Sequence, residues 1–170
     1  MTDKNTKQMT LSFNPKQVTK QLLGVLSDRG RDVISGRYGL GTETRKMTLE
    51  SIGKKYGIRR ERVRQIETHS IANIRKSKEY EKNKKVFDEL KAQLRVLGGI
   101  ISEHDMLNHF SADKSIQNNL HFILVVGEDF KKHKEDDEFK ARWHIDSALA
   151  DNIHDALRKI YSDLDDEAII

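Results

Sequence analysis

Two helix-forming segments joined by a tight glycine turn constrain this sequence more than any other feature. Thr48 is a suitable N-cap for the first segment. The apolar positions of that segment share one helix face and are Leu49, Ile52, Gly53 and Tyr56. Gly57-Ile58 forms the turn, and a longer basic helix is predicted from about Arg59 to about Lys78. A short helix, a glycine turn and a longer basic helix make a helix-turn-helix.

Two further helices are predicted before this unit. The dipeptide Asn14-Pro15 indicates an N-cap with proline at the first helical position. The apolar stripe of this helix is formed by Val18, Leu22, Val25 and Leu26. Ser27 begins a second helix, and Gly39 is a typical C-terminal stop. Residues 13–78 are therefore predicted to form a four-helix unit, the first module, which follows a flexible segment over residues 1–12.

The longer helix is the candidate recognition helix, and it has two contrasting faces. Val63 and Ile66 lie on the side expected to be core. The opposite side carries side-chain types that bond to base edges in the major groove. The residues expected to contact bases are Arg60, Glu61, Arg64, Gln65 and Thr68. The residues expected to contact the DNA backbone are Thr48, Lys54, Lys55, Arg59, Arg62, Arg75 and Lys76. An ordinary solvated helix face is the alternative explanation.

The charge of the chain is divided unevenly. Residues 1–85 have 21 lysines and arginines against 9 aspartates and glutamates, whereas residues 86–170 have 10 against 18. A polyanion is attracted to the first half and repelled by the second. This asymmetry predicts two modules with different partners, separated by a charged linker at residues 79–85.

The second module, residues 86–164, is predicted to follow the element order of a winged helix. Helical periodicity indicates helices over residues 86–97, 103–110 and 115–124. Alternating residues over 139–145, paired with 130–134, indicate a hairpin, and a last helix runs over 147–164. A tail follows at 165–170. The predicted fold class is mainly α, with a helix-turn-helix four-helix module followed by a winged helix.

The stretch Leu26 to Lys76 resembles region four of sigma-70-family factors, the promoter-recognition domain. The residues that carry the resemblance are Arg37-Tyr38-Gly39-Leu40, Thr48-Leu49-Glu50-Ser51-Ile52-Gly53 and Arg60-Glu61-Arg62-Val63-Arg64-Gln65-Ile66-Glu67. The resemblance covers about a third of the chain. It implies that the recognition helix enters the major groove, with the family's base-reading positions at Arg60, Glu61 and Gln65.

The resemblance also implies RNA polymerase as a partner. It places docking on the flap of the beta subunit within residues 18–40, and the candidates are Arg29, Arg31, Arg37 and Tyr38. The usual glutamate of the family is Gly30 here, and its usual Ala-Leu is Ile71-Ala72. Only 47 residues precede Thr48 and none is tryptophan, so we expect the chain to lack the promoter-melting domain of a complete sigma factor.

The second module resembles winged helices of the HARE type, such as the N-terminal domain of the RNA polymerase delta subunit. Its candidate recognition helix is expected to expose Gln117, Asn118 and His121. The expected wing tip, residues 135–138, is entirely acidic, which favours a protein-contacting or dimerising role over DNA binding. Basic hairpin residues keep DNA binding open as the alternative: Lys131, Lys132, Lys134, Lys140 and Arg142.

Other chemistries find little support in the sequence. The seven histidines lack metal-ligand spacing and there are no cysteines, so we expect no metal, cofactor or enzymatic activity. No membrane span or secretory signal is visible, and a bacterial cytoplasmic protein is expected. The leading hypothesis is a promoter-reading transcription factor that acts with RNA polymerase. The alternatives are a polymerase-interaction module, anti-sigma-like or delta-like, with little DNA readout, and the N-terminal piece of a longer protein.

Overall fold

A computed structural model describes residues 11–167, with side chains through Leu164. The predictions for residues 1–10 and 168–170 lie outside this range. The described chain is 66% helix, with nine helices and a small antiparallel sheet of three strands. The prediction of a mainly helical fold is confirmed.

The first four helices are α1 (Pro15–Leu23), α2 (Asp28–Tyr38), α3 (Leu49–Tyr56) and α4 (Arg60–Arg75). Their starts follow the predicted caps, because the side chains of Asn14, Ser27 and Thr48 accept hydrogen bonds from the first-turn amides. Gly39 and Gly57 end α2 and α3 in the left-handed conformation, with φ of 63° and 65°. The loop before α3 therefore begins at Gly39, and the tight turn before α4 begins at Gly57.

The segment predicted as a charged linker is mostly helical. It contains most of α5 (Lys78–Lys82) and the first two residues of α6 (Lys84–Val96). Ser77 caps α5, and the Tyr80 ring lies 4.7 Å from the Phe87 ring, so one aromatic residue anchors this charged stretch to the core. The division into two domains stays a prediction.

The remaining elements are β1 (Ile100–Ser102), α7 (Glu103–Phe110), α8 (Lys114–Val126), β2 (Lys131–His133), β3 (Arg142–His144) and α9 (Ser147–Glu167). The strand order is β1-β3-β2, with Trp143 of β3 opposite both Ile101 and Lys132. Three helices, a three-stranded sheet with a hairpin and a final helix are the order predicted for a winged helix. The observed β3 is shorter than the predicted strand over 139–145.

One hydrophobic cluster joins the two modules. It includes Leu22 and Tyr38 from the first module and Leu90 and Phe122 from the second. Helix α8 is at its centre and packs against α1, α2, α4 and α7. A smaller cluster beneath the helix-turn-helix is built from Val33, Ile52 and Val63.

The prediction that α8 exposes its polar residues is wrong. Gln117, Asn118 and His121 are only 8%, 1% and 8% exposed. Their polar atoms find partners inside the protein: the Asn118 amide, for example, donates to the backbone oxygens of Gly39 and Thr44, at 3.1 and 2.8 Å. Polar side chains on α8 therefore attach it to the first module.

Three histidine rings meet between the hairpin and α9. The His133 ring lies 4.7 Å from the His144 ring and 5.4 Å from the His154 ring. Arg142 Nε donates to His154 Nε2 at 2.7 Å, so this nitrogen must be unprotonated. Burial, and then the charge of Arg142, lowers the pKa of His154, while burial and then His133 lower the pKa of His144.

Acidification is therefore expected to destabilise the fold. Because folding lowers these pKa values, the unfolded chain takes up more protons, and stability present above about pH 6.5 is lost as the pH falls below it. The loss reaches about 1.4 kcal/mol per pH unit for each extra proton bound on unfolding. Urea unfolding at about pH 7.5 and about pH 5.5 measures it. His154→Gln keeps an acceptor for Arg142 without a titrating ring and should reduce the difference; an unchanged difference would contradict the assignment.

Candidate nucleic-acid interface

Helix α4 presents all five predicted base-contacting residues to solvent. They are Arg60, Glu61, Arg64, Gln65 and Thr68. Val63 on the opposite side is fully buried and fixes the helix on α2 and α3. The Ile58 amide donates to the Gly53 carbonyl at 2.9 Å and closes the turn before α4. The fold thus holds one exposed polar face in a defined orientation.

The side chains on this face bond to each other. Arg64 Nη2 lies 2.6 Å from Glu61 Oε1, and Arg62 Nη1 donates to Gln65 Oε1 at 3.1 Å. The hydrogen bond from Arg64 outweighs desolvation and lowers the pKa of Glu61, so its carboxylate is ionised at neutral pH. Thr68 Oγ1 donates to the Arg64 carbonyl at 3.0 Å. In the structure these polar groups are therefore bonded within α4 itself.

The residues predicted to contact the DNA backbone fall into two groups. Thr48, Lys54, Lys55, Arg59, Arg62 and Lys76 are exposed. Lys55 also pairs with Asp32 at 2.9 Å. Arg75 is different, because its guanidinium donates to the carbonyl oxygens of Val126 and Val125 at 2.9 and 3.0 Å. It caps the C-terminus of α8 and is directed into the protein.

The four candidate docking residues also differ in exposure and in their contacts. Arg29 is exposed and lies over the Tyr56 ring at 5.1 Å. Arg31 is exposed but donates to the backbone oxygens of Leu23, at the end of α1, and of Leu26, in the turn that follows. Arg37 bonds to Glu67 at 3.2 Å, and Tyr38, which is 9% exposed, lies beneath α8.

Sequence reasoning assigned no role to Glu67, although it lies in the recognition motif. Its carboxylate accepts from Arg37 Nε and from the Tyr38 hydroxyl, at 3.2 and 3.1 Å. Burial, and then the charge of Glu67, raises the pKa of Tyr38, so the hydroxyl stays a donor. Glu67 therefore ties α4 to α2. Arg37, Tyr38 and Glu67 are about 30 residues apart, and their separation in the sequence gives no sign that their side chains are in contact.

Close packing explains one departure from the sigma-70 pattern. A Cβ atom added at Gly30 would lie 2.9 Å from Ser70 Oγ, so α2 approaches α4 too closely for a larger side chain. Ser70 is itself 4% exposed. A larger side chain at position 30 would therefore require the Ser70 hydroxyl to move.

An open groove lies between α2, α3 and the loop before α3. Its volume is about 400 Å³. Apolar side chains of Met47, Ile52 and Tyr56 line it, and Asp32 and Lys55 are on its edge. This combination suits an apolar side chain of a partner with polar groups around it.

The second module exposes fewer unpaired basic side chains than the first module does. Helix α8 is buried, and two acidic wing residues bind arginines: Asp136 lies 3.4 Å from Arg142, and Glu138 lies 2.7 Å from Arg158. Lys132 pairs with Glu103 at 3.0 Å. The exposed basic residues remaining on the hairpin are Lys131, Lys134 and Lys140.

Residues 11–167 offer neither a metal site nor a membrane span. No group of three or more metal-ligating side chains has the arrangement to hold an ion. No helix there combines the length and the apolarity that a membrane span requires.

Comparisons with known proteins agree with this geometry. The family model of sigma-70, region 4, matches residues 22–76. The chain is 36% identical over 69 residues to the RNA polymerase principal sigma factor HrdD of Streptomyces griseus, covering 41% of this chain and 20% of that protein. HrdD of Streptomyces viridifaciens and of Streptomyces coelicolor matches with the same identity and coverage. The chain thus spans about a fifth of the length of these relatives. The resemblance to sigma-70 region 4 is confirmed by the match over residues 22–76.

Proposed function

We propose that the first module binds promoter-like duplex DNA by inserting α4 into the major groove. One observation supports the proposal most strongly. The match to sigma-70 region 4 covers α4, and all of the predicted base-contacting side chains on α4 are exposed. Arginine bonds guanine, glutamine bonds adenine and glutamate accepts from the cytosine amino group. In this proposal the base-contacting residues are Arg60, Glu61, Arg64, Gln65 and Thr68.

The backbone contacts follow from the exposed residues around α4. We assign phosphate contacts to Thr48, Lys54, Lys55, Arg59, Arg62 and Lys76. Arg75 is left out because its guanidinium is bonded to the end of α8. Basic contacts of this kind make binding strongly salt-dependent and position the helix without reading sequence.

We propose RNA polymerase as the protein partner of this DNA-bound module. Of the predicted docking residues, Arg29 and Arg31 are exposed, and a groove lined by Met47 and Tyr56 adjoins Arg29. Tyr38 lies under α8 and Arg37 is paired with Glu67, so the beta-subunit flap would contact them only after rearrangement.

A binding selection from randomised duplexes at fixed salt tests the DNA-binding proposal. The unmodified protein should enrich a short motif. The triple variant Arg60→Ala, Glu61→Ala, Gln65→Ala should lose enrichment but retain weak, salt-sensitive binding, because each lost base contact removes about 1–3 kcal/mol of discrimination. The matched control changes Lys131, Lys134 and Lys140 of the hairpin to alanine and should enrich the original motif.

The outcomes separate the candidate functions. If the hairpin variant loses the motif and the α4 variant keeps it, the reading surface is in the second module. If the unmodified protein enriches nothing, the α4 proposal is overturned in favour of a polymerase-interaction module, and pull-down with the beta flap then tests that role.

A further inference from the structure

A carboxylate, an imidazole and an amine meet where α8 passes the loop before α3. His121 lies on α8, Glu103 is the first residue of α7, and Lys46 lies in the loop. His121 Nδ1 lies 3.2 Å from Lys46 Nζ, and His121 Nε2 lies 3.0 Å from Glu103 Oε1. The two ring nitrogens therefore face two different charged groups. A nucleophile beside a base that a third group orients is the arrangement of an activated nucleophile.

The contact with Lys46 determines how the His121 ring is protonated. An ammonium group only donates hydrogen bonds, so the Nδ1 atom that it meets must accept and has no proton. The proton of the neutral ring is then on Nε2, which faces the Glu103 carboxylate. Burial outweighs the attraction of Glu103 and lowers the pKa of His121, so the ring is neutral at pH 7. Nδ1 is thus a base directed at the amine.

Hydrogen bonds and packing hold Glu103 and His121 in place. Lys132 Nζ donates to Glu103 Oε1 at 3.0 Å, and the indole nitrogen of Trp143 donates to the same oxygen at 3.1 Å. Although burial opposes ionisation, His121 and Lys132 keep the pKa of Glu103 well below its usual range. The His121 ring lies 5.7 Å from the Tyr38 ring and 6.1 Å from the Trp143 ring. The orientation of the imidazole is therefore defined by its neighbours.

Lys46 combines this contact with access from solvent. The residue is exposed, although its ammonium group meets α8. Partial burial lowers the pKa of Lys46, against the opposing charge of Glu103. The charges of Lys114, Lys132 and Arg37 lower it further. A larger share of Lys46 is therefore the neutral amine, which is the nucleophilic form. The same positive charges favour the approach of an anionic reagent.

We propose that Lys46 is a modification site at which acyl phosphates transfer their acyl group to the side-chain amine. After the ammonium group has lost one proton to water, the amine nitrogen attacks the acyl carbon. The N–C bond forms, and the C–O bond to phosphate breaks. The nitrogen gives up a second proton to Nδ1 of His121, which passes it to the leaving phosphate. The products are Nε-acyl-lysine and inorganic phosphate.

The other two groups of the cluster have different roles in this step. His121 is the base, and Glu103 is a positioning residue whose charge stabilises the imidazolium formed when the base accepts the proton. Acylation removes one positive charge from the first module, at its junction with α8. The reaction does not require that α4 binds DNA. It is measured on the free protein, so failure of this proposal and failure of the DNA-binding proposal are seen separately.

Incubation of the free protein with acetyl phosphate provides the first test. Peptide mass spectrometry over time gives the rate of acetylation at each lysine. Lys54 and Lys76 are the references, because both are exposed lysines of the same module. A positioned general base contributes about 10²–10⁴-fold in enzymes. We expect acetylation about tenfold faster at Lys46 than at the references, because the lowered pKa of His121 makes it a weaker base. Equal rates would overturn the proposal.

The pH dependence distinguishes a neighbouring base from a lysine that only loses its proton more easily. The ratio of the rates at Lys46 and Lys54 removes effects common to both, such as hydrolysis of the reagent. Below about pH 6.5, His121 gains a proton on Nδ1 and can no longer act as a base, so this ratio should fall with pH. Without a base, both amines titrate in parallel in this range. A constant ratio from about pH 7.5 to about pH 5.5 would overturn the role of His121.

Substitutions provide the third test. His121→Gln keeps an acceptor for Lys46 but cannot take up a proton, so acetylation of Lys46 should fall to the rate of Lys54. Glu103→Gln keeps an acceptor for the Trp143 indole but removes the negative charge, and it should lower the Lys46 rate by a smaller factor. Circular dichroism checks that both variants fold, and the pH dependence of the unmodified protein needs no substitution. An unchanged Lys46 rate in folded His121→Gln would contradict the proposal.

Discussion

Replacing Phe122 by alanine is expected to lower the free energy of unfolding by about 3–5 kcal/mol and to destabilise both modules together. Phe122 is fully buried at the centre of the shared cluster. Its ring lies 5.4 Å from that of Tyr38 in the first module. The vacated volume is bordered by several helices that cannot all move inward, so little of the cavity would close.

Urea unfolding followed by two probes measures this effect. Trp143 is the only tryptophan and reports on the second module, whereas far-ultraviolet circular dichroism reports on helices of both modules. A shared core predicts coincident transitions before and after the substitution. Val25→Ala in the turn between α1 and α2 is the control, because Val25 is 38% exposed and should change stability little. Separate transitions would instead support independent domains at residues 13–78 and 86–164.

Local signals in the sequence predicted local structure well. The caps at Asn14, Ser27 and Thr48 and the stops at Gly39 and Gly57 were readable because each depends on a few adjacent residues. The order of elements in the second module was readable for the same reason. These signals also oriented α4, since most of its apolar side packs against α2 and α3, which are close to it in the sequence.

Contacts between the modules could not be read in this way. The amide of Asn118 meets the Gly39 carbonyl across 79 residues of sequence, and Arg75 meets the Val126 carbonyl across 51. A polar side chain on a helix bonds equally well to water, DNA or a distant carbonyl group. Periodicity alone therefore marked Asn118 and Arg75 as surface residues, although they connect the modules.

The burial of α8 changes how the two halves relate to function. In a free winged helix this element would be available for DNA, but here it covers Tyr38 and bonds to the loop before α3. We infer that the second module supports the first through α8. Its free surfaces for partners are then the hairpin and α9. This reasoning agrees with the protein-contacting role favoured by the acidic residues of the second half.

Gly53→Ala is expected to weaken sequence-specific DNA binding by about tenfold or more, whereas Gly57→Ala should leave it nearly unchanged. A Cβ atom at Gly53 would lie 2.6 Å from the Ile58 carbonyl oxygen, a backbone atom that directly precedes α4. Relief of this clash must displace the start of the recognition helix. A Cβ atom at Gly57 would have no neighbour within 4 Å, so the substitution strains only a φ of 65°.

We expect Gly53→Ala and Gly57→Ala to lower the free energy of unfolding by similar amounts. The two variants are therefore distinguished by their affinity for DNA. Overpacking at Gly53 costs about 1–3 kcal/mol, and a left-handed alanine at Gly57 costs about 1–2 kcal/mol. Urea unfolding should therefore show comparable losses. Binding to the selected duplex at fixed salt should fall only for Gly53→Ala, because only there does the strain reach Arg60 and Glu61. Equal loss of binding in both variants would mean that general destabilisation, and not the position of α4, controls DNA affinity.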